Sequence, residues 1–565
     1  MLKKTPLLIA VSVLINLTGC TSETRDKQSD IEYRKLSVKE YRDKLQAGWL
    51  GQIAGVAWGA PTEFIWKDKI IPAGDMPQWK NELINSAFYQ DDLYVEMTFL
   101  RSLEEYGLDV SIRQAGIDFA NSEYPLWCAN DAGRRNLRAG IAPPDCSHPA
   151  FSNCPNDIDY QIEADYSGLI APGMPNIAIE LGEKFGRLMN YSDGMYAGQF
   201  IGGMYAEAFF EENILKVIDA GLKCIPHECQ YAEMVRDVVA WYKANPDNWE
   251  TTWTLCQQKY REDPEYQKNS NGGIDVKING AYILIGLLYG EKDLDQTIII
   301  STRCGQDSDC NPSNAAGILF TTLGTSKLPS RFKENLDLET HFAHTNYNFP
   351  KLLDVCEKLA RAYVLREGGR IETETNGEEY FMIPLKKPTP SALVFSWDPE
   401  PITNSLFTEE EMAKINHKGF INIQKAVDEL LPGWIVSNCG TDMDPGFRET
   451  YKGKENVIVT HPLSREIPCV LSTEIDILKD KKTVLKALVS HYDGGDWDLI
   501  IRVNGSVQKQ ITIGKDSVNN DGWREITFDL TPFAGNKNVK IDLENKANGW
   551  AWEAGYWGDI RIVNE

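Results

Sequence analysis

The sequence predicts a multidomain chain in which an all-α helical domain is followed by an antiparallel, jelly-roll-like β-sandwich. Three observations carry this prediction. Apolar residues recur at three and four positions from about residue 37 to 365, the period of a helix with one buried face. From about Gly433 to Glu565 the pattern shortens to alternating runs broken by turn residues, as in strands. Between them, Gly368-Gly369 and then Pro384, Pro388, Pro390, Pro399 and Pro401 mark a connector.

In chain order, residues 1–20 read as a processing signal. Lys3 and Lys4 precede an apolar run, Leu7 to Leu17, too short to span a bilayer as a mature helix. It ends in Leu17-Thr18-Gly19-Cys20, which is similar to the lipobox of bacterial lipoproteins, where the cysteine is lipidated and becomes the N-terminus. Cys20 is the expected lipid anchor and residues 21–36 the tether. The expected location is the bacterial cell envelope, at the outer membrane, with lipid as the sole membrane attachment.

The helical domain is expected over residues 37–365. Leu93, Met97 and Leu100 form one row, with Val95, Phe99 and Leu103 beside it. Gly48, Gly51, Gly55 and Gly59 lie on a helix ended by Pro61; small residues at that spacing let helices approach closely. Gln52 and the short length favour tight packing in a bundle over a membrane span. Residues 366–432 form the connector, which is poor in flexible Gly/Ser sequence and is expected to dock, with the sandwich, on the helices.

The sandwich, residues 433–565, is built from runs such as Thr483 to Val489, Leu499 to Val503, Val507 to Ile513 and Val539 to Leu543. Asn504-Gly505 and Asp493-Gly494-Gly495 are its turns. Trp497, Trp523, Trp550, Trp552 and Trp557 either stack on sugars or fill the core. Asp493, Asp496 and Asp498 make either a Ca²⁺-holding turn or a plain one.

The net charge is −24. That excludes nucleic acid and anionic membrane surfaces, which need a basic face, and favours a neutral small-molecule or glycan substrate. Of twelve cysteines, Cys20 is assigned to lipid, leaving an odd number. Cys146/Cys154 and Cys224/Cys229 are close enough in sequence to pair in an exported protein. No C-x-x-C pair occurs, so a thiolate zinc site is not expected. Oligomeric state is not legible.

Two acidic clusters stand at helix starts: Gln90-Asp91-Asp92, and Gly305-Gln306-Asp307-Ser308-Asp309-Cys310. Either, taken singly, reads as a helix cap. The second imitates an EF-hand loop only at its start, since Pro312 holds the required glycine position and Ile318 the twelfth. A third element, Gly55-Val56-Ala57-Trp58-Gly59-Ala60-Pro61-Thr62-Glu63-Phe64, precedes both.

In this order the three segments resemble the ADP-ribosylglycohydrolase family, all-helical hydrolases with a Gly-rich first helix ending in Glu, then Thr-Asp-Asp, then Gly-Gly-Asp-x-Asp-Thr. Asn279-Gly280-Ala281-Tyr282 and Ala315-Ala316-Gly317-Ile318 extend the likeness, which covers roughly residues 40 to 330. The resemblance implies a binuclear metal site. Asp91, Asp92, Asp307 and Asp309 would be ligands, with Gln90 offering a carbonyl oxygen. Glu63 would engage the sugar or the attacking water, making Glu63, Asp92 and Asp307 the catalytic set. Physics agrees: so many carboxylates cannot share a pocket without cations, and oxygen donors select one or two hard ions, Mg²⁺ first, then Mn²⁺ or Ca²⁺.

This chain departs from the pattern at Gln90 and Cys310, each in place of Thr, and at Cys304-Gly305-Gln306, where the family has Gly-Gly. A family segment containing His aligns with Asn190-Tyr191-Ser192-Asp193. The resemblance therefore reaches further for the chemistry than for the sugar. In Asp157 to Asp165, acid or amide occupies every second position; in a strand these would share one face, in a loop they could line a pocket and bind sugar hydroxyls, and the plain alternative is a solvated polar edge. Asp159, Glu163 and Asp165, with Asn130, are the expected substrate-binding residues. Trp127, Asp131, Arg134 and Arg135 would add a rim.

The expected activity is metal-dependent hydrolysis of glycosidic bonds, in a furanoside or another extracytoplasmic glycan. Two other readings stay open: a true ADP-ribosyl hydrolase, and a non-catalytic glycan-binding lipoprotein.

Overall fold

The computed structural model describes residues 32–268, 270, 274–415, 423–440, 443, 445–549 and 552–564. Cys20, the signal segment and the tether before residue 32 lie outside them. Among the described residues no helix is long and apolar enough to cross a membrane.

The helical domain is organised on a seam between two helices, Val38–Gly59 and Cys310–Leu323. The first is capped by Ser37, whose hydroxyl accepts from the Glu40 N–H at 3.0 Å. Glycine makes the seam. A Cβ on Gly51 would lie 2.4 Å from the Ala316 carbonyl oxygen, one on Gly55 2.3 Å from that of Pro312, and one on Gly59 2.1 Å from that of Ser308. No side chain fits, so the two backbones touch directly. Asp91–Tyr106, Asp193–Ala208, Val276–Tyr289 and Phe349–Arg366 pack around this pair. Every residue of Val276–Tyr289 is buried, so its sequence carries no polar stripe.

The flanking segments are more ordered than linkers. Tyr33–Ser37 (β1) pairs antiparallel with Glu379–Pro384 (β3), which also pairs with Arg370–Thr373 (β2). Residues 33–36, expected as tether, are thus strand; one buried apolar side chain, Leu36, anchors them, too little for an alternating pattern to show. Beyond β3 the proline-rich connector crosses the helical domain as a strap. Tyr196 Oη donates to the Ala392 carbonyl (2.6 Å), and Ser192 Oγ to that of Val394 (2.8 Å). The Asp145 carboxylate accepts from the N–H groups of Thr403 (3.0 Å) and Ser405 (2.9 Å). Side chains of the helical domain so satisfy a backbone whose prolines leave it without a ladder of its own.

The tail forms two five-stranded sheets. Their strands are Ile435–Ser437 (β4), Gly446–Tyr451 (β5), Lys454–Thr460 (β6), Cys469–Ile475 (β7), Thr483–His491 (β8), Trp497–Val503 (β9), Ser506–Ile513 (β10), Arg524–Asp529 (β11), Val539–Lys546 (β12) and Gly555–Asn564 (β13). One sheet runs β10-β9-β12-β7-β4, the other β11-β8-β13-β6-β5, with antiparallel neighbours throughout. Asn504-Gly505 joins β9 to β10 with φ of 50° and 80°, the left-handed pair that a two-residue hairpin needs.

Trp497, Trp523 and Trp557 are core residues, so the sugar-stacking alternative fails for them. Trp552 differs: it is 54% exposed and its ring stacks on Tyr492 at 5.4 Å. Trp550 lies outside the described residues. The acidic turn is plain. Asp493 pairs with Lys452 at 2.6 Å, and Asp498 accepts from Gln510 (2.9 Å) and Thr512 (2.6 Å).

The described cysteines are free thiols, so neither expected disulfide is present. Cys146 donates to the carbonyls of Arg187 and Leu188, and Cys224 to that of Ala220. Nearness in sequence did not aim their side chains at one another.

Candidate functional site

The glycine seam ends where the chemistry begins. After Gly59 the chain turns through Pro61, and Thr62 Oγ1 meets Ser308 Oγ at 2.8 Å. The Phe64 N–H donates to the Gln306 carbonyl (3.0 Å), and the Gln306 N–H returns to that of Trp66 (3.3 Å). Gly305 has φ 82°, and a Cβ there would lie 2.5 Å from the Trp66 carbonyl oxygen. Gln306 follows at φ 57°. Two successive left-handed residues account for a glycine pair at this point; Gln306 tolerates the conformation with its side-chain amide bonded to Asp68 at 2.5 Å. This laced loop brings Asp307 and Asp309 up to Glu63.

The helix Asp91–Tyr106 supplies the other half. Ligand atoms of Asp91, Asp92 and Cys310 lie within 4.8 Å of one another, and so do those of Asp307, Asp309 and Cys310. Asp92, Asp307 and Asp309 are 0%, 1% and 2% exposed. Both carboxylate oxygens of Asp92 and both of Asp307 are buried without a hydrogen-bond partner. Neither Gln90 nor Asp309, the residues at the two N-caps, makes a capping bond with its side chain, so capping does not account for these clusters.

Electrostatics agree. Burial, then the charges of Asp309 and Asp91, pushes the Glu63 carboxyl up to about 7. Burial and Asp309 push Asp91 up to about 6. Asp92 and Asp307 are driven well above the usual carboxylate range, by burial first and then by neighbouring carboxylates. No lysine or arginine is among the groups that act most on these residues. Buried, unpaired carboxylates each cost several kcal/mol. Divalent cations resolve that cost, and the donor set fits them.

The expected substrate residues are placed differently. Asp157 to Asp165 is not a strand: it forms the short helices Asp159–Ile162 and Asp165–Leu169, so the alternating residues share no face. Asp159 accepts from the N–H groups of Ala129 (3.3 Å) and Asn130 (3.1 Å). Those amides open the helix Cys128–Arg138, whose N-terminus attracts a carboxylate. Asn130 Nδ2 donates to Glu163, and Asn314 Nδ2 to Asp165 at 2.7 Å. All four of Asn130, Asp159, Glu163 and Asp165 are buried. The charges of Asp91 and Asp92 act on Glu163, and that of Asp165 on Asp92, so these residues adjoin the carboxylate cluster.

Arg134 is likewise no rim residue: it donates to the Tyr124 carbonyl at 2.7 Å. Arg135 pairs with Asp131 at 3.1 Å. Trp127 is the rim residue that stays exposed. Asn190 and Asp193 are structural, accepting from the backbone N–H groups of Tyr160 and Tyr231 (both 2.9 Å).

Cys310, which stands where the family has Thr, places its sulfur within reach of both carboxylate groups. Sequence reasoning passed over His344, exposed, whose ring meets that of Tyr94 edge to face with centroids 5.2 Å apart; nothing local in the sequence marks it.

Comparison with protein families matches residues 37–368 to ADP-ribosylglycohydrolase. No curated protein matches. A solved structure described as an ADP-ribosylglycohydrolase-related protein complex shares 14% identity, over 57% of this chain and 99% of its own, at a TM-score of 0.34. The CBM22-1 xylan-binding domain of a Paenibacillus barcinonensis protein shares 13% identity over 24% of this chain and 87% of its own, at a TM-score of 0.18. A CBM61 domain in complex with β-1,4-galactotriose shares 11% over 24% and 91%, at a TM-score of 0.17. With three motifs in order, a helical domain that brings their carboxylates together and a family match over more than half its length, the chain belongs to the ADP-ribosylglycohydrolase family, hydrolases of glycosidic bonds.

Proposed function

We propose that this protein hydrolyses a glycosidic bond in a neutral extracytoplasmic glycan, a furanoside in particular, using one or two divalent cations. The observation that carries the reading is the convergence of Asp91, Asp92, Asp307 and Asp309 with four buried carboxylate oxygens left unpartnered. Such groups are matched to cations, and perturbed carboxylates in a cluster mark functional sites. Bound divalent ions polarise a sugar oxygen and make a water more acidic. The oxygen donors by themselves select Mg²⁺, with Mn²⁺ or Ca²⁺ as alternatives; Gln90 adds an amide oxygen at the edge.

Glu63 stands at the rim with its carboxyl pushed up to about 7 by partial burial and by Asp309 and Asp91. A group titrating near neutrality is suited to take the proton of the attacking water or to hold a sugar hydroxyl. Asp92 and Asp307, both buried, would hold the cations at the reaction centre.

Two observations favour a neutral glycan over a pyrophosphate-bearing substrate. The strongest influences on the site are carboxylates and burial, with no basic group among them. Ile65, Tyr89 and Trp127 are exposed, and each lies within three residues of Glu63, Asp91 or Asn130. Apolar faces of this kind suit sugar C–H surfaces. The exposed Trp552–Tyr492 stack offers the sandwich a similar surface.

The test is a panel of aryl furanosides, aryl pyranosides and ADP-ribosyl conjugates, with and without chelator. Furanoside cleavage that chelator abolishes and divalent cation restores is expected, with Glu63→Gln keeping the cation and losing turnover. Cleavage indifferent to chelator overturns the metal reading; cleavage of ADP-ribosyl conjugates alone overturns the substrate reading. The lipid anchor is part of the same proposal: Cys20→Ser should move the protein out of the membrane fraction, and retention there refutes it.

A further inference from the structure

The two carboxylate groups are joined by one atom that the oxygen-ligand picture does not use. The sulfur of Cys310 lies within ligand reach of Asp91 and Asp92 on one side and of Asp307 and Asp309 on the other. It is 5% exposed, and its contact with Asp309 Oδ1 is a long one, 3.8 Å. Two other buried thiols, Cys146 and Cys224, donate to backbone carbonyls. Cys310 instead faces carboxylates.

We propose that Cys310 is a thiolate ligand at this centre, shared between its two halves, and that it biases the site toward a borderline-soft divalent ion such as Zn²⁺ or Co²⁺ over Mg²⁺. The inference rests on the reading that the carboxylate cluster is a cation site. Three features support it. Cys310 is buried, and its sulfur is within 4.8 Å of ligand atoms of Asp91 and Asp92 and, in the second group, of Asp307 and Asp309. The buried, unpartnered oxygens of Asp92 and Asp307 point independently to a ligand in the same space. Sulfur in place of a hydroxyl changes the donor class: thiolates suit Zn²⁺ and its neighbours in the transition series, whereas Mg²⁺ takes oxygen.

The experiment uses the full chain stripped of metal and titrated with Co²⁺, followed by absorption spectroscopy. Mg²⁺ and Zn²⁺ binding is measured in parallel by equilibrium dialysis. Wild-type protein should bind Co²⁺ with a near-ultraviolet thiolate-to-cobalt charge-transfer band. Cys310→Ser should lose that band, keep the weaker visible bands of oxygen-bound cobalt, and weaken Zn²⁺ by about tenfold or more while Mg²⁺ affinity changes little. Cys310→Thr serves the same comparison if the serine variant melts early.

Stoichiometric Co²⁺ without the band, or a band that survives Cys310→Ser, overturns the thiolate ligand and leaves the cation site standing. A wild-type chain that binds none of the three ions overturns both.

Discussion

In the sandwich, Asp493 faces Lys452, Asp498 takes hydrogen bonds from Gln510 and Thr512, and Asp542 takes one from Ser472. In the helical domain, Asp92 and Asp307 are buried deeper than any of these and bond to nothing. Both regions are rich in acid, but only one leaves its charge uncompensated by the chain itself. Among the described residues Asp92 and Asp307 are the carboxylates with both oxygens buried and without a partner, and so much uncompensated buried charge marks where a cation would bind. The same contrast holds for packing. The sandwich fills its interior with Trp497 and Trp557, whereas the helical domain removes side chains along a glycine seam so that the backbone can carry Asp307 and Asp309 to Glu63.

The largest effect that sharpens the comparison is at Asp309. Asp309→Asn keeps the shape and removes a charge, and should cut turnover by at least about a hundredfold and lower cation affinity. In chelator its melting temperature should hold or rise by about 1–3 °C, because a repelling charge is gone. Asn caps helices as well as Asp does, so full activity with unchanged metal content would mean that the site is ordinary helix capping.

Next come the tryptophans. Trp497→Ala should destabilise the sandwich by about 3–5 kcal/mol through cavity formation, while Trp552→Ala should cost less than about 0.5 kcal/mol and reduce retention on a glycan affinity gel. Denaturant midpoints and gel mobility read the two outcomes; equal stability losses would erase the distinction between core and surface tryptophan.

The glycine seam is tested by Gly55→Ala, whose Cβ would meet the Pro312 carbonyl oxygen at 2.3 Å. A loss of about 3 kcal/mol is expected for such overpacking. Gly453→Ala in the sandwich, at φ 74° but in open space, should lose only about 1 kcal/mol. Similar losses at both would deny the seam its role.

The smallest effect is the pH dependence. Folding raises Glu63 from 4.5 to about 7 and Asp91 from 3.8 to about 6. A raised carboxyl binds more protons folded than unfolded, so its stability contribution is complete at low pH and declines as pH rises through the folded values. In chelator the melting temperature should therefore fall between about pH 4.5 and pH 7.5, and saturating divalent cation should flatten that fall. Parallel curves with and without cation would separate the carboxylates from the metal.

Much of this was legible in the chain. The shift from helical period to alternation near Arg366 placed the two domains, and the order of the Gly-rich helix and the two acidic motifs gave the family. Where local reading failed, it failed for one kind of reason. The alternating acids of Asp157 to Asp165 fitted a strand face or a pocket-lining loop, but two short helices turn them onto Asn130 and Asn314. Cys146 and Cys154 are close enough in sequence to pair yet are free thiols, and Tyr33 to Leu36 looked like tether until β3 lay beside them.

Sequence by itself determined the secondary-structure period, the domain order and the residue types at the site, because these follow from side-chain spacing along a single element. Tertiary structure alone decided that Asp91, Asp92, Asp307 and Asp309 meet, that Glu163 and Asp165 are buried close enough to act on them, and that Cys310 reaches both halves. Those outcomes depend on how closely two distant helices approach. That approach was set by what glycine leaves out, and no local pattern records the distance between chain segments that only packing brings together.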